Sequence, residues 1–126
     1  MSFNWSSYAD LAYWLLDNAA VTHNVEAACR SAVSRAYYAA YHAAVETAQA
    51  KDNFIPAQTS DDHREIIEHF LYSLDPTYQR IGAELQRLRR DRNKADYDDV
   101  LRERPGTMAT RSLYTAKTLL VTLTSL

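Results

Sequence analysis

The chain is poor in the residues that make turns. Its 126 residues include two glycines and three prolines. Sandwiches and barrels of short strands need a turn signal about every 8–12 residues, so an all-β fold is not expected. Cysteine is nearly absent: Cys29 stands alone in an alanine-rich stretch and reads as a small buried core residue. No apolar run is long enough to span a bilayer, and no membrane partner is expected. The opening MSFNWSSYADLAYW has neither a basic stretch nor a cleavage signature, so no export signal is expected and a cytoplasmic location fits. There is no Gly-rich phosphate loop, Walker lysine or GxSxG. The four histidines, His23, His42, His63 and His69, lack HExxH or any other metal-ligand spacing, so neither a metal nor a cofactor is expected.

What the sequence has is helical periodicity and ordinary globular composition, 47% hydrophobic and 24% charged. This suits one domain spanning residues 1–126. A first helix is expected from Ser6 or Ser7 to Ala20, with Leu11, Trp14, Leu15 and Asn18 at helical spacing and Tyr8 on the apolar stripe. Asn24 is a plausible cap for a long second helix, Val25 to Lys51, whose alanines favour helix and let neighbours approach closely. A third opens at Thr59 or Ser60 and stops near Leu74, burying Ile66, Ile67, Phe70, Leu71 and Leu74. Asp75-Pro76 reads as N-cap and first helical residue of a fourth, with Ile81, Leu85 and Leu88 inward. Pro105-Gly106 reads as a turn, followed by a last helix from Thr107 to Thr124. The fold class is therefore all-α, an up-down bundle of four to five helices.

The charge is unevenly placed. Gln79 to Lys94 carries six basic residues and two acids in a chain whose net charge is −2. The basic run meets Asp96, Asp98 and Asp99, which suit a helix C-terminus poorly, so the helix is expected to end near Ala95 to Tyr97. Arg92 and Asp96, four residues apart, can form a plain surface ion pair, and Arg89 and Arg90 a solvated face. On the second helix Arg35, Tyr38 and His42 share one face and can line a pocket or an interface. In the bland alternative, Tyr37, Tyr38 and Tyr41 are core rings with wet tips.

Three blocks, Ser34-Arg35-Ala36-Tyr37-Tyr38-Ala39-Ala40-Tyr41-His42-Ala43-Ala44, His63-Arg64-Glu65-Ile66-Ile67-Glu68-His69-Phe70 and Leu88-Arg89-Arg90-Asp91-Arg92-Asn93-Lys94-Ala95-Asp96-Tyr97, occur in this order. Together they resemble the HEPN superfamily, and more narrowly its small bacterial branch whose last motif ends in Ala-Asp-Tyr. The resemblance implies a dimerising helical bundle. Members act as metal-independent RNA-cleaving toxins or as subunits paired with a small nucleotidyltransferase antitoxin, in toxin–antitoxin or defence systems. Active members carry Arg, a polar residue and, a few positions on, His. Here Arg92 and Asn93 match the first two, and Tyr97 stands at the histidine position. A tyrosine is only about a thousandth ionised at pH 7 and makes a poor base, though its hydroxyl can donate to a phosphate. His42 or His63 can in principle supply an imidazole.

Arg92, Asn93 and Tyr97 are thus the candidate catalytic residues. Arg35, Tyr38, His42, Arg89, Lys94 and Asp96 are candidates for RNA or nucleotide binding. Arg92 is expected in a cleft with Asn93, Tyr97 and at least one residue of the Arg35–Tyr38–His42 face, because buried polar groups need partners. Three functions follow: a dimeric HEPN ribonuclease; a non-catalytic HEPN subunit that binds RNA, a nucleotide or a nucleotidyltransferase; or a helical protein-interaction module.

Overall fold

A computed structural model describes residues 3–57 and 61–126. Five α-helices pack together, and no strand is formed among the described residues. They are α1 (Ser7–Asp17), α2 (Val25–Asp52), α3 (Asp62–Leu71), α4 (Pro76–Tyr97) and α5 (Pro105–Thr124), with a 3-10 turn at Ala19–Thr22. The all-α bundle expected from the sequence is what forms.

α2 is the central rod and packs against each of the other four helices. A helix enclosed this way needs small side chains on several faces. Ala28, Ala32, Ala36, Ala39, Ala40, Ala44 and Ala48 are all buried. Asn24 caps its start, its side-chain oxygen accepting from the Ala27 amide at 3.0 Å, which satisfies one of the orphan N–H groups of a helix start. Its other end stops at Asn53, in the left-handed region with φ 54°, a conformation asparagine tolerates better than most residues. Buried side chains of all five helices, among them Ala12, Val33, Phe70, Leu85 and Leu119, join one core.

α4 starts as expected, with Asp75 accepting from the Thr77 amide at 2.8 Å and Pro76 at its first position. It crosses α3 at Gly82. A Cβ there would lie 2.6 Å from the Leu71 amide nitrogen and 2.7 Å from its Cα, so the two helices meet through backbone that cannot yield.

Several sequence expectations are corrected. Pro105-Gly106 is no turn but the first turn of α5, because proline at a first helical position loses no hydrogen bond and has its φ pre-set. α1 ends at Asp17, with Asn18 closing it and a 3-10 turn replacing the last expected turn. It buries Ala9 and Ala12 and leaves Leu11 and Trp14 outside. α3 stops at Leu71, and Leu74 is 97% exposed, since the N-cap at Asp75 already belongs to the next helix. The expected start of the third helix at Thr59 or Ser60 falls outside the described residues. Cys29 is buried in the core.

Candidate functional site

α4 runs along α2, and its successive side chains face different neighbours. At about 100° per residue, positions three before and four after Arg92 share its face. Arg89 and Asp96 therefore accompany it. Asn93 lies about 100° away and Tyr97 roughly 140° away.

The side chain of Arg92 is only 9% exposed. Its guanidinium sits over the rings of Tyr37 and Tyr38, 5.2 and 5.5 Å from their centroids, within cation–π range. Its only carboxylate neighbour among the described residues is Asp96, at 3.8 Å, too long for a hydrogen bond. Asp96 in turn accepts from the Ser34 hydroxyl at 3.3 Å. The Nε groups of Arg92 and Arg89 are buried and have no hydrogen-bond partner among the described residues. Buried donors left unpaired are rare in folded proteins and call for an explanation such as a ligand.

His63, in the first turn of α3, completes the cluster. Its Nδ1 lies 2.5 Å from the Tyr37 hydroxyl, and its ring stacks on Tyr41 at 4.3 Å with Tyr38 edge-on at 6.0 Å. Burial lowers its pKa from 6.5 to about 4, with the Arg92 and Arg89 charges pushing the same way; the imidazole is neutral at pH 7. Tyr37, fully buried, is raised well above the ordinary phenol value, chiefly by desolvation, and keeps its proton. Arg89, Tyr38, Tyr41 and His63 are half-buried and form the exposed edge of the cluster.

Of the expected residues, the fold thus assembles Arg92, Arg89, Asp96 and Tyr38. Asn93, Tyr97, Lys94 and Arg35 go elsewhere, while His42 borders the cluster, its ring 5.0 Å from that of Tyr41 and 6.3 Å from that of Tyr38. Asn93 and Tyr97 are exposed, Tyr97 by 75%, so the expected cleft joining them to Arg92 does not form within the chain. Tyr97 lines a groove with Asn24, Arg30, Asp99 and Asp96, so it meets the cluster through Asp96 and not through Arg92 itself. Lys94 is exposed beside the 98–103 connector. Arg35 lies over the Tyr8 ring at 4.8 Å, and His42 is stacked on Trp5 at 3.5 Å and 10°. The aromatic N-terminal segment therefore takes two of the three residues of the Arg35–Tyr38–His42 face. Burial alone lowers the pKa of His42.

No protein family, curated protein or solved structure matches this chain.

The chemistry the cluster offers is recognition of an oxyanion: guanidinium charges in a partly desolvated site, where each hydrogen bond to a charged group counts for more than in water. Among the described residues, no group of three or more His, Cys, Asp or Glu side chains is placed to hold a metal ion. In the sequence, Tyr37 and Tyr41 are core rings in the bland alternative, and His63 is a possible imidazole on the third helix whose distance from Arg92 is not encoded locally. The i+1 and i+4 relation of Tyr38 and Tyr41 to Tyr37 is visible in the spacing, but the approach of α3 to that face is not.

One neighbouring feature explains why the acids following α4 are tolerated. Arg30 on α2 reaches its C-terminus, donating to the carbonyls of Ala95 at 3.1 Å, Asp98 at 2.5 Å and Asp99 at 3.2 Å. It supplies the cation that a helix C-terminus favours. On the opposite flank the buried Asp91 accepts from Arg111, at 3.0 Å from Nη2 and 3.2 Å from Nε. Glu103 also accepts from Arg111, at 2.9 and 2.5 Å; these hydrogen bonds lower its pKa.

Proposed function

We propose that this chain is a HEPN-class helical domain directed at RNA, working as a homodimer, with Arg92 and Arg89 gripping a phosphate of the RNA backbone. The observation that carries the reading is the pair of buried guanidinium Nε groups without a partner among the described residues, beside a neutral imidazole. The order of the three HEPN-like sequence blocks supports it as well. Phosphate contacts are the usual work of arginine in nucleic-acid recognition. The acidic net charge of −2 keeps such contact local and disfavours general polyanion binding.

In the first form of this proposal the domain is a toxin-type, metal-independent ribonuclease. Such cleavage needs a base for the RNA 2′-hydroxyl and a cation for the developing charge on phosphorus. Arg92 and Arg89 supply the cation. Tyr97 lies on another face, so His63 is the better base within one chain, once its Nδ1 is released by Tyr37. In the second form the domain binds RNA, a nucleotide or a nucleotidyltransferase partner without cleaving. The burial of Arg92 and the depressed pKa of His63 favour this form, because a base held near 4 is weak at neutral pH.

Incubating purified protein with RNA in EDTA separates the two forms, with Arg92→Ala as control. Cleavage lost in the variant supports the nuclease. Binding without cleavage, lost in the variant, supports the subunit. Wild type and Arg92→Ala alike in cleavage, RNA binding and nucleotidyltransferase binding would reject the site. The dimer is tested by light scattering, where only monomer at tens of micromolar, roughly the range of modest self-association, counts against it.

A further inference from the structure

We propose that Tyr37 is the positioning residue of this site: its hydroxyl donates to Nδ1 of His63 and so fixes the imidazole as a neutral Nε2–H donor that, with Arg89 and Arg92, recognises one phosphate group of an RNA chain. The inference deepens the reading of the cluster as RNA-facing and rests on it.

The geometry starts from one contact. The Tyr37 oxygen and His63 Nδ1 are 2.5 Å apart, and one proton lies between them. Either the phenol donates to a bare Nδ1, or a protonated Nδ1 donates to the phenol oxygen. The desolvated Tyr37 phenol keeps its proton despite the nearby Arg89 and Arg92 charges, and Nδ1 of His63 is the acceptor that the described residues offer it. The groups facing His63 from α4 are the Arg89 and Arg92 cations; from α2 they are the Tyr37, Tyr38, Tyr41 and His42 side chains, and from its own helix Asp62. Two guanidinium charges oppose a third cation there, while Asp62 works the other way. The neutral ring with Nδ1 accepting is therefore the form the site holds, and its single proton is on Nε2, the nitrogen not engaged by Tyr37.

The ring cannot swing to another form freely. Tyr41 stacks on it and Tyr38 meets it edge-on. The Tyr37 ring is also a face on which Arg92 rests. One residue thus sets both the direction of a guanidinium and the tautomer of an imidazole. Three donors of this kind, two charged and one neutral, match an anionic phosphodiester better than a proton-transfer centre, because Nδ1, the ring's only free lone pair in this tautomer, is already occupied.

The experiment has two arms, both on the full chain. Long-range proton–nitrogen correlation spectra of His63 should show the Nε2–H tautomer, and Tyr37→Phe, which deletes only the hydroxyl, should convert it to a mixture. An Nδ1–H tautomer in the wild type, or an unchanged spectrum in Tyr37→Phe, overturns the inference. In the second arm a short single-stranded RNA and inorganic phosphate are titrated separately. Tyr37→Phe should weaken RNA binding about three- to tenfold, the loss of one hydrogen bond, and His63→Gln, which keeps an N–H donor, should bind RNA better than His63→Ala. Should Arg92→Met abolish RNA binding while Tyr37→Phe leaves it unchanged, the RNA reading stands and Tyr37 has no positioning role. If neither variant alters RNA binding, both fall. A site that answers to inorganic phosphate but not to RNA overturns the assignment to RNA.

Discussion

Asp91 and Arg92 are neighbours in sequence, yet they face two differently finished charge clusters. Around Asp91 everything is paired. Arg111 donates through Nε, Nη1 and Nη2, and both Asp91 and Glu103 accept, while the Ser112 hydroxyl stands 3.5 Å from Asp91. Around Arg92 the cation rests on tyrosine rings, its carboxylate is 3.8 Å away and its Nε is unpaired among the described residues. A buried charge whose partners are all inside the protein is a structural tie. A buried charge with donors left over is one that a ligand can complete. The same residue type serves both ends, and only the surroundings tell them apart.

The largest effect that sharpens this contrast is on stability. Arg111→Met leaves Asp91 buried without its cation and should cost about 3 kcal/mol of unfolding free energy, the scale for breaking one side of a buried pair. Arg92→Met removes a guanidinium with no strong partner and should cost under about 1 kcal/mol. Urea denaturation of the two variants measures both, and equal losses would erase the distinction.

RNA binding should show the reverse order. Arg92→Met is expected to weaken binding at least about tenfold, roughly 1.4 kcal/mol, and to lower the salt slope by about one phosphate contact. Arg111→Met, assayed where it is folded, should stay within about twofold. Fluorescence anisotropy at several salt concentrations checks this, and a larger loss for Arg111→Met breaks the comparison.

The pH dependence is smaller and has a definite sign. His63 is held at about 4 in the folded protein against an ordinary 6.5. Between these values the unfolded chain binds more protons, so stability falls as pH drops from 6.5 to about 4. Allowing for solvent screening of this half-buried ring, the loss is about 1–2 kcal/mol, and His63→Gln should reduce the slope, leaving the smaller part that the lowered pKa of His42 contributes. Glu103, depressed by Arg111, adds a loss in the same direction at lower pH, which His63→Gln should leave in place. An unchanged curve in His63→Gln would mean that the imidazole is not held neutral by its surroundings.

The smallest effect is at Tyr97. With 75% of it exposed, Tyr97→Phe should shift stability by less than about 0.5 kcal/mol. Tyr97→His should raise RNA cleavage only if a second copy brings this position to Arg92 across a dimer, so a rise seen in a protein shown to be monomeric would contradict that geometry.

Much of the fold is legible in the sequence alone. The helix start at Asp75-Pro76, the cap at Asn24 and the stripes of Ile66, Ile67 and Phe70 or of Ile81, Leu85 and Leu88 depend on local backbone chemistry and a 3.6-residue period. These signals are written within one turn or two. Pro105-Gly106 misleads because the same pair serves a turn or, with proline at the first helical position, a helix start. The arginine run, its end near Tyr97 and the pairing of Arg92 with Asp96 are likewise within reach of spacing. Spacing does not say which arginine is buried. That is decided where α3 lays His63 against Tyr37, where Arg111 comes across from α5 to Asp91, and where Trp5 and Tyr8 cover His42 and Arg35. Each of those contacts joins residues far apart in the chain, and no local period encodes which distant side chain will arrive to satisfy a charge.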